Sequence, residues 1–296
     1  MSLRFALLGH PVSHSMSPAI HGAAYRALGL DHRYELIDVP DQPALARAVD
    51  AVRRGELCGV NVTIPWKREA LALADRVDPS ASAVGAANVL LRASDGSVVA
   101  HNTDVPALAQ EIRALIATPR RAVVLGNGGA AIAAVAALRS IGTAVETAAR
   151  RWSGSADVST WPHATSFRSL GSDVLPWPTH CPASADEPLG AALARADVII
   201  QGTSAGMHGA DAGGSIADMI DWPRLSPTAV AYDLVYNPPD TAFVRAAAAR
   251  GLVASHGLGM LVGQAALAIE LWLGVSPPLP ALRSAAEEAL AQRRRG

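Results

Sequence analysis

The residues with the reach for chemistry gather after apolar runs. Lys67 ends Asn61-Val62-Thr63-Ile64-Pro65-Trp66-Lys67, and Asp104 ends His101-Asn102-Thr103-Asp104. The first apolar run leads into Gly9-His10-Pro11-Val12-Ser13-His14-Ser15-Met16-Ser17-Pro18; Asn88 follows Ala86-Ala87, and Gln264 closes Gly257-Leu258-Gly259-Met260-Leu261-Val262-Gly263-Gln264. Together they offer hydroxyls, amides, one ammonium and one carboxylate. Hydroxyls and amides hydrogen-bond the OH groups of a small polyol that carries a carboxylate, and a Lys–Asp pair can move a proton. Each residue also has a plainer use: Ser17 as a helix N-cap, Asn88 in a turn, Asp104 as the cap of the next helix, Lys67 on the surface.

A second kind of chemistry follows the run Ala122–Leu125. Gly126-Asn127-Gly128-Gly129-Ala130-Ala131 reads as strand, glycine turn, helix. Glycines allow the tight turn, and free N–H groups at the helix start suit a pyrophosphate. An NAD site expects an acid at the end of the next strand, for the ribose 2′-OH. Here that strand ends Thr147-Ala148-Ala149-Arg150-Arg151, with Glu146 lying inside it. Guanidinium groups suit a 2′-phosphate, so the pattern favours NADP.

These loops need parallel strands behind them. Strands are expected at Phe5–Leu8, Tyr34–Val39, Val60–Ile64, Ala122–Leu125, Ala144–Ala148, Val198–Ile200 and Ala229–Leu234, mostly continuous apolar runs of the kind buried on both faces. Helical stretches between them argue βαβ units. One hairpin is expected, Val89–Arg92 and Val98–His101 around Asp95-Gly96. Ser17-Pro18 reads as N-cap and first helical residue, with Gly29 as the stop; the face Ile132, Val135, Leu138, Ile141 marks a helix closed by Gly142. Gly259–Leu273 and Pro280–Arg294 are further helices, with Arg293, Arg294 and Arg295 as a solvated, frayed tail. Residues 151–190 show no period. Trp152, Trp161 and Trp177 among five prolines suggest an irregular excursion with aromatic anchors on the domain surface.

The chain has 296 residues, half of them apolar and 17% charged, which excludes global disorder. A net charge of -1 offers no basic excess for a nucleic-acid backbone. No apolar run reaches membrane-spanning length, and that of the N-terminus is too short for a signal peptide. Cys58 and Cys181 have neither disulfide-framework nor metal spacing, so no metal site is expected. A cytoplasmic α/β protein is expected, with a small-molecule substrate and a monomeric or homodimeric state.

The motifs together resemble the shikimate dehydrogenase family over most of the chain. The SxSxSP-like start is Ser13 through Pro18, NVTxPxK is Asn61 through Lys67, AxN is Ala86 through Asn88, and NTD is Asn102 through Asp104. GxGG is Gly126–Gly129, TSxGM is Thr203 through Met207, DxxY is Asp233–Tyr236, and DGLGMLxxQ is His256–Gln264. The resemblance implies an N-terminal substrate domain with a mostly parallel sheet, residues 1–104 plus 257–296, and a Rossmann-like NADP domain, residues 105–256. It implies NADP-dependent, reversible reduction of 3-dehydroshikimate to shikimate, with quinate/shikimate or aminoshikimate dehydrogenase, or a non-catalytic NADP-binding paralogue, as alternatives. Lys67 and Asp104 would be the catalytic pair. Ser15 and Ser17 would take the substrate carboxylate, while Asn61, Thr63, Asn88, Asp104 and Gln264 would hold ring hydroxyls, with Tyr236 near the substrate. Gly126, Asn127, Gly128, Gly129, Ala130, Arg150, Arg151, Thr203, Met207 and Gly257 would bind NADP. The chain departs from the family pattern on the cofactor side: Ile132 for a usual Arg, Ala149-Arg150-Arg151 for NRT, Gln201-Gly202 before TSxGM, His256 for Asp, and the excursion in place of a helix.

Overall fold

The computed structural model describes residues 2–153, 160–207 and 210–293. The chain divides into two compact units, Met1–Ala107 with Leu261–Gly296, and Leu108–Met260.

The first unit carries β1 (Arg4–Gly9), α1 (Ser17–Ala27), β2 (Arg33–Asp38), α2 (Gln42–Arg53), β3 (Gly59–Val62), α3 (Lys67–Leu73), β4 (Arg76–Val77), α4 (Pro79–Ser82), β5 (Val89–Arg92) and β6 (Val98–His101). Its sheet has the order β2-β1-β3-β5-β6-β4. β1 pairs in parallel with both β2 and β3, and the β5–β6 hairpin turns the sheet antiparallel. β1 is buried on both faces from Phe5 to Gly9, which is why its sequence is a run rather than an alternation. α2 shows the opposite pattern. Asp41 caps it through Ala44 N–H at 2.8 Å, and Leu45, Ala48, Val49 and Val52 fall on its one buried face. That stripe joins Leu8, Val60, Val62 and Leu90 in the core. α5 (Asp104–Leu115) and α11 (Leu258–Leu273) each run through a unit boundary, and α12 (Leu279–Arg293) belongs to the first unit, packed on α1.

The second unit carries β7 (Arg121–Leu125), α6 (Gly129–Ser140), β8 (Ala144–Ala148), α7 (Ala164–Ser169), β9 (Ser172–Leu175), α8 (Pro188–Ala194), β10 (Val198–Gln201), α9 (Gly214–Asp218), β11 (Val230–Asp233), α10 (Ala242–Ala249) and β12 (Val253–His256). Its sheet is parallel throughout, in the order β12-β11-β10-β7-β8-β9. Read from β9 this is 3-2-1-4-5-6, the doubly wound order, with its switch point between β7 and β10. α6 ends as its glycine requires: Gly142 has φ +85°, its N–H reaches Arg139 O, and Thr143 N–H reaches Leu138 O.

Several local expectations are corrected. Ser17 is the first residue of α1 and not its cap; Met16 stands at the N-cap, and the Ser17 N–H is taken by Ser15 Oγ at 3.2 Å. Asp104 does not cap α5 either, because Asn102 Oδ1 accepts from the N–H groups of Asp104 and Val105. β3 stops at Val62, leaving Ile64 71% exposed in the turn beyond it. The region 151–190 is not a wholly irregular surface excursion, since α7 and β9 lie within it. Trp152 and Trp161 stack 5.9 Å apart in the interior, and Phe167 of α7 meets Trp152 edge-on. β9 shows no apolar run because it is a partly exposed edge strand, joined to β8 by a buried Thr147–Ser172 hydroxyl pair at 2.7 Å. Residues 154–159 of that region lie outside the described residues, as do Arg294 and Arg295. Arg293 is not a free tail residue, for its guanidinium donates to the carbonyl of His14.

Candidate active site

In the first unit the loops after β1, β3 and β6 and the segment before β5 bring their polar side chains together. Lys67 opens α3 directly after the turn that follows β3. The Trp66 indole donates to Val39 O at 2.7 Å, and Ala87 N–H to Lys67 O at 2.8 Å, so the backbone on both sides of the lysine is held. Lys67 Nζ donates to Asp104 Oδ2 at 2.6 Å. The other oxygen of Asp104 accepts from Asn88 Nδ2 at 3.0 Å. Asn88 is fixed in turn, its Oδ1 accepting from Thr103 N–H at 2.8 Å. The Lys67 side chain keeps 32% of its surface in solvent against 11% for Asp104. One ammonium proton therefore goes to the carboxylate, leaving two for a ligand.

A line of hydrogen bonds runs from this pair to the serine loop. Asn61 Nδ2 donates to Asn88 O at 3.3 Å, and Asn61 Oδ1 accepts from the Tyr34 hydroxyl at 2.7 Å. Tyr34 also bonds the Ser17 hydroxyl, which accepts from Ser15 Oγ at 3.0 Å. Burial pushes the Tyr34 phenol well above its ordinary range, so it stays a neutral donor. His21 lies flat on its ring, centroids 3.9 Å apart. Burial lowers the His21 pKa to about 3, so this packing partner is uncharged. Thr63 lies beside Gly9, where a Cβ would meet its methyl group. Gln264 is tied in through its backbone carbonyl, which accepts from Thr103 Oγ1 at 3.1 Å. Ser15, Ser17, Asn61, Lys67, Asn88, Asp104 and Gln264 thus share one network. Tyr236 lies in the second unit.

Tyr34 carries no motif, and a tyrosine within a strand gives no sign of its partners. Tyr34→Phe removes the hydroxyl that donates to Asn61 Oδ1. Expected are a loss of about 1–3 kcal/mol of stability from the unpaired buried amide oxygen and a higher KM for the substrate, read by urea melts and initial rates.

The second unit places the glycine loop at the carboxyl edge of β7, at the switch point. Gly126 has φ +132°, and a Cβ there would lie 2.8 Å from Gly202 O, so the fold itself demands glycine. Gly128 and Gly129 are different: neither has positive φ, and a Cβ on either would meet nothing within 4 Å. That open space lies at the start of α6, whose first backbone bond is Ile132 N–H to Gly128 O, leaving the preceding N–H groups to a ligand. The Asn127 Nδ2 is buried there with no partner among the described residues. A backbone cradle, a helix N-terminus and an orphaned donor fit a dinucleotide pyrophosphate. Gly128→Val is expected to keep the melting temperature and raise the dinucleotide KM at least tenfold. Gly126→Ala should cost about 1–3 kcal/mol of stability through strain. Thermal melts beside cofactor titrations separate the two.

Beneath this edge Gln201 ties the Thr203 and Asp233 motifs into a polar knot. Gln201 Oε1 accepts from Thr203 N–H at 2.5 Å, and its Nε2 donates to Ala205 O at 2.8 Å and Asp233 Oδ1 at 3.3 Å. Asp233 also accepts from Val235 N–H and from Thr241 Oγ1 at 2.6 Å. It is fully buried, and burial raises its pKa from 3.8 to about 6. Between those values the folded state holds a proton that the unfolded chain has lost. Stability therefore falls as pH rises through this window, by about 3 kcal/mol in all and about 1–2 kcal/mol between pH 5 and 8. Asp233→Asn should remove that component, as seen in urea melts of both proteins at pH 5 and 8. Further along the carboxyl edge, Gly257 packs on the backbone of Leu234 so closely that a Cβ would collide. Met207 is exposed, as is Arg151. Arg150, expected to await a phosphate, is ion-paired to Asp211 at 2.9 Å.

Two family models match the chain: the shikimate dehydrogenase substrate binding domain over residues 7–90, and the shikimate 5'-dehydrogenase C-terminal domain over residues 257–287. The shikimate dehydrogenase (NADP(+)) of Symbiobacterium thermophilum is 37% identical over 286 residues, covering 96% of this chain and 93% of that protein. The crystal structure of shikimate 5-dehydrogenase from Thermus thermophilus, in complex with NADP(H) and shikimate, superposes with a TM-score of 0.80 at 35% identity, covering 97% of this chain and 99% of that one. The ligand-free 5-ketofructose reductase of a Gluconobacter species gives a TM-score of 0.83 at 27% identity, covering 97% and 99%.

Proposed function

This chain belongs to the shikimate dehydrogenase family, and from that premise we infer that it catalyses the NADP-dependent, reversible reduction of 3-dehydroshikimate to shikimate. The observation that carries the reading is the Lys67–Asp104 pair at 2.6 Å, set in a network of hydroxyls and amides. Bound NADPH supplies the hydride to the ketone carbon. As that carbon is reduced, negative charge grows on the ketone oxygen. Lys67 stands to stabilise this charge with a free ammonium proton and to hand the proton over, while Asp104 orients the lysine and accepts from a substrate hydroxyl. Asn88 holds Asp104 in place. Ser15 and Ser17 at the start of α1 receive the carboxylate through their hydroxyls, the N–H groups of this first turn being taken within the chain. Asn61, Thr63, Asn88 and Gln264 take ring hydroxyls, and Tyr236 is the further substrate residue that the family resemblance implies. Gly126 through Ala130 hold the pyrophosphate, Arg150 and Arg151 the 2′-phosphate, and Thr203, Met207 and Gly257 the nicotinamide side. In this reading the N-terminal unit with the C-terminal helices is the substrate domain, and the remainder is the NADP domain.

The fold alone does not select the substrate, since 5-ketofructose reductase shares it. What favours shikimate is the Ser15–Ser17 pair, which has a use for a carboxylate and little for an uncharged sugar. The test is absorbance at the NADPH band with shikimate, quinate and 5-ketofructose, each with NADP and NAD. Highest kcat/KM for shikimate with NADP is expected; no turnover of shikimate, or a preference for NAD, overturns the reading. Among the described residues no helix is long and apolar enough to cross a membrane. A cytoplasmic location agrees with the unpaired Cys58 and Cys181 thiols. A monomer or homodimer is the expected assembly, to be read by sedimentation.

A further inference from the structure

We propose that Asp211 is a specificity-determining residue for the dinucleotide: its carboxylate competes with a ribose 2′-phosphate for the Arg150 guanidinium, so that it lowers the preference of the site for the phosphorylated cofactor. The proposal rests on the reading that Arg150 is the 2′-phosphate ligand. Three strand ends meet at this edge. Gly126 N–H donates to Ala148 O of β8 at 2.8 Å, and Gly202 N–H, just beyond β10, donates to Leu125 O of β7 at 2.8 Å. The glycine loop thus sits between the exits of β8 and β10. Arg150 comes from the β8 exit and Asp211 from the segment after β10, and their pair joins the strands on either side of β7.

Asp211 is placed for this by its own turn. Gly213 N–H donates to Asp211 Oδ1 at 2.7 Å, and Asp211 O accepts from Gly206 N–H at 2.7 Å, while Oδ2 accepts from Arg150 at 2.9 Å and, more distantly, from the Ser215 hydroxyl at 3.5 Å. The Gly213 N–H, the Arg150 guanidinium and the Ser215 hydroxyl hold its carboxyl below the usual range, so it is ionised near neutral pH. A 2′-phosphate must then take the guanidinium from a carboxylate already on it, and the displaced carboxylate stays beside the incoming anion. Phosphate is the stronger partner, with more charge and three acceptor oxygens, so the exchange proceeds at reduced gain. A cofactor with a bare ribose pays none of this. Both side chains are nearly half exposed, so the effect is modest and weakens with salt.

Titration calorimetry with 2′,5′-ADP and 5′-AMP tests the proposal on the full chain. Asp211→Asn keeps an acceptor for Gly213 N–H, and Asp211→Ser, whose hydroxyl can take the same bond, serves as a second variant. Both should bind 2′,5′-ADP about three- to tenfold more tightly at low salt, with the gain shrinking at high salt and 5′-AMP unchanged. Unchanged or weaker 2′,5′-ADP binding, or an equal gain for 5′-AMP, overturns the proposal. Arg150→Ala separates the premise: it should weaken 2′,5′-ADP at least tenfold and spare 5′-AMP. If it does not, Arg150 is no phosphate ligand and both statements fall. If it does and the Asp211 variants change nothing, only the competition is wrong.

Discussion

Lys67→Ala is expected to lower kcat and kcat/KM together by about 10²–10⁴-fold, with little change in KM. The charge that Lys67 answers grows on the ketone oxygen only as hydride arrives, so the ground-state complex has little use for it. Ser15, Ser17, Asn61 and Gln264 would still hold the substrate. The fold should survive, because what α3 takes from this residue is backbone: Ala87 N–H bonds Lys67 O, and alanine keeps that carbonyl. Lys67→Arg should not rescue, since a guanidinium remains protonated near neutral pH and its planar fork does not fit the 2.6 Å approach of one ammonium to Asp104 Oδ2. Initial rates against both substrates, with thermal melts beside them, check all three statements. A near-normal kcat in Lys67→Ala would make this lysine a surface residue that happens to pair with Asp104.

How much of this was legible in the sequence depends on what each residue was asked to do. β1, β3, β7, β10 and β11 announce themselves because burial on both faces leaves runs such as Phe5–Leu8 and Val198–Ile200. β9 and β12 are edge strands, partly exposed along Ser172–Leu175 and Val253–His256, so no run forms. Lys67, Asn88 and Asp104 were visible as polar residues just past strands, where an open α/β sheet binds its ligands. Their partners were not. Tyr34 is an ordinary strand residue until its hydroxyl is seen on Asn61. Ser17 reads as a cap because Ser-Pro commonly opens a helix, yet it is Ser15 Oγ that accepts from the Ser17 N–H. Asp211 lies 61 residues from Arg150, and no pattern in the chain links them. What pattern reading recovers is periodicity and proximity along the chain; what it misses is contact made across it.

Asp104→Asn should then cost about 10²–10³-fold in kcat, and the double variant Lys67→Ala/Asp104→Asn should be no slower than Lys67→Ala alone. The orientation of the introduced amide is dictated by its neighbour. Asn88 Oδ1 is occupied by Thr103 N–H, so Asn88 presents its Nδ2 to position 104. The new side chain must answer with its oxygen, which turns its NH₂ toward Lys67. The ammonium thereby loses a carboxylate at 2.6 Å and faces a donor, and it swings out of line with the ketone oxygen. If the aspartate acts by holding the lysine, its loss does nothing further once the lysine is gone, and the two effects do not multiply. If Asp104 transfers a proton on its own account, the losses compound and the double variant falls well below either single one. The cycle of four enzymes, compared by kcat at saturating substrate and cofactor, decides which carboxylate role the 2.6 Å contact serves.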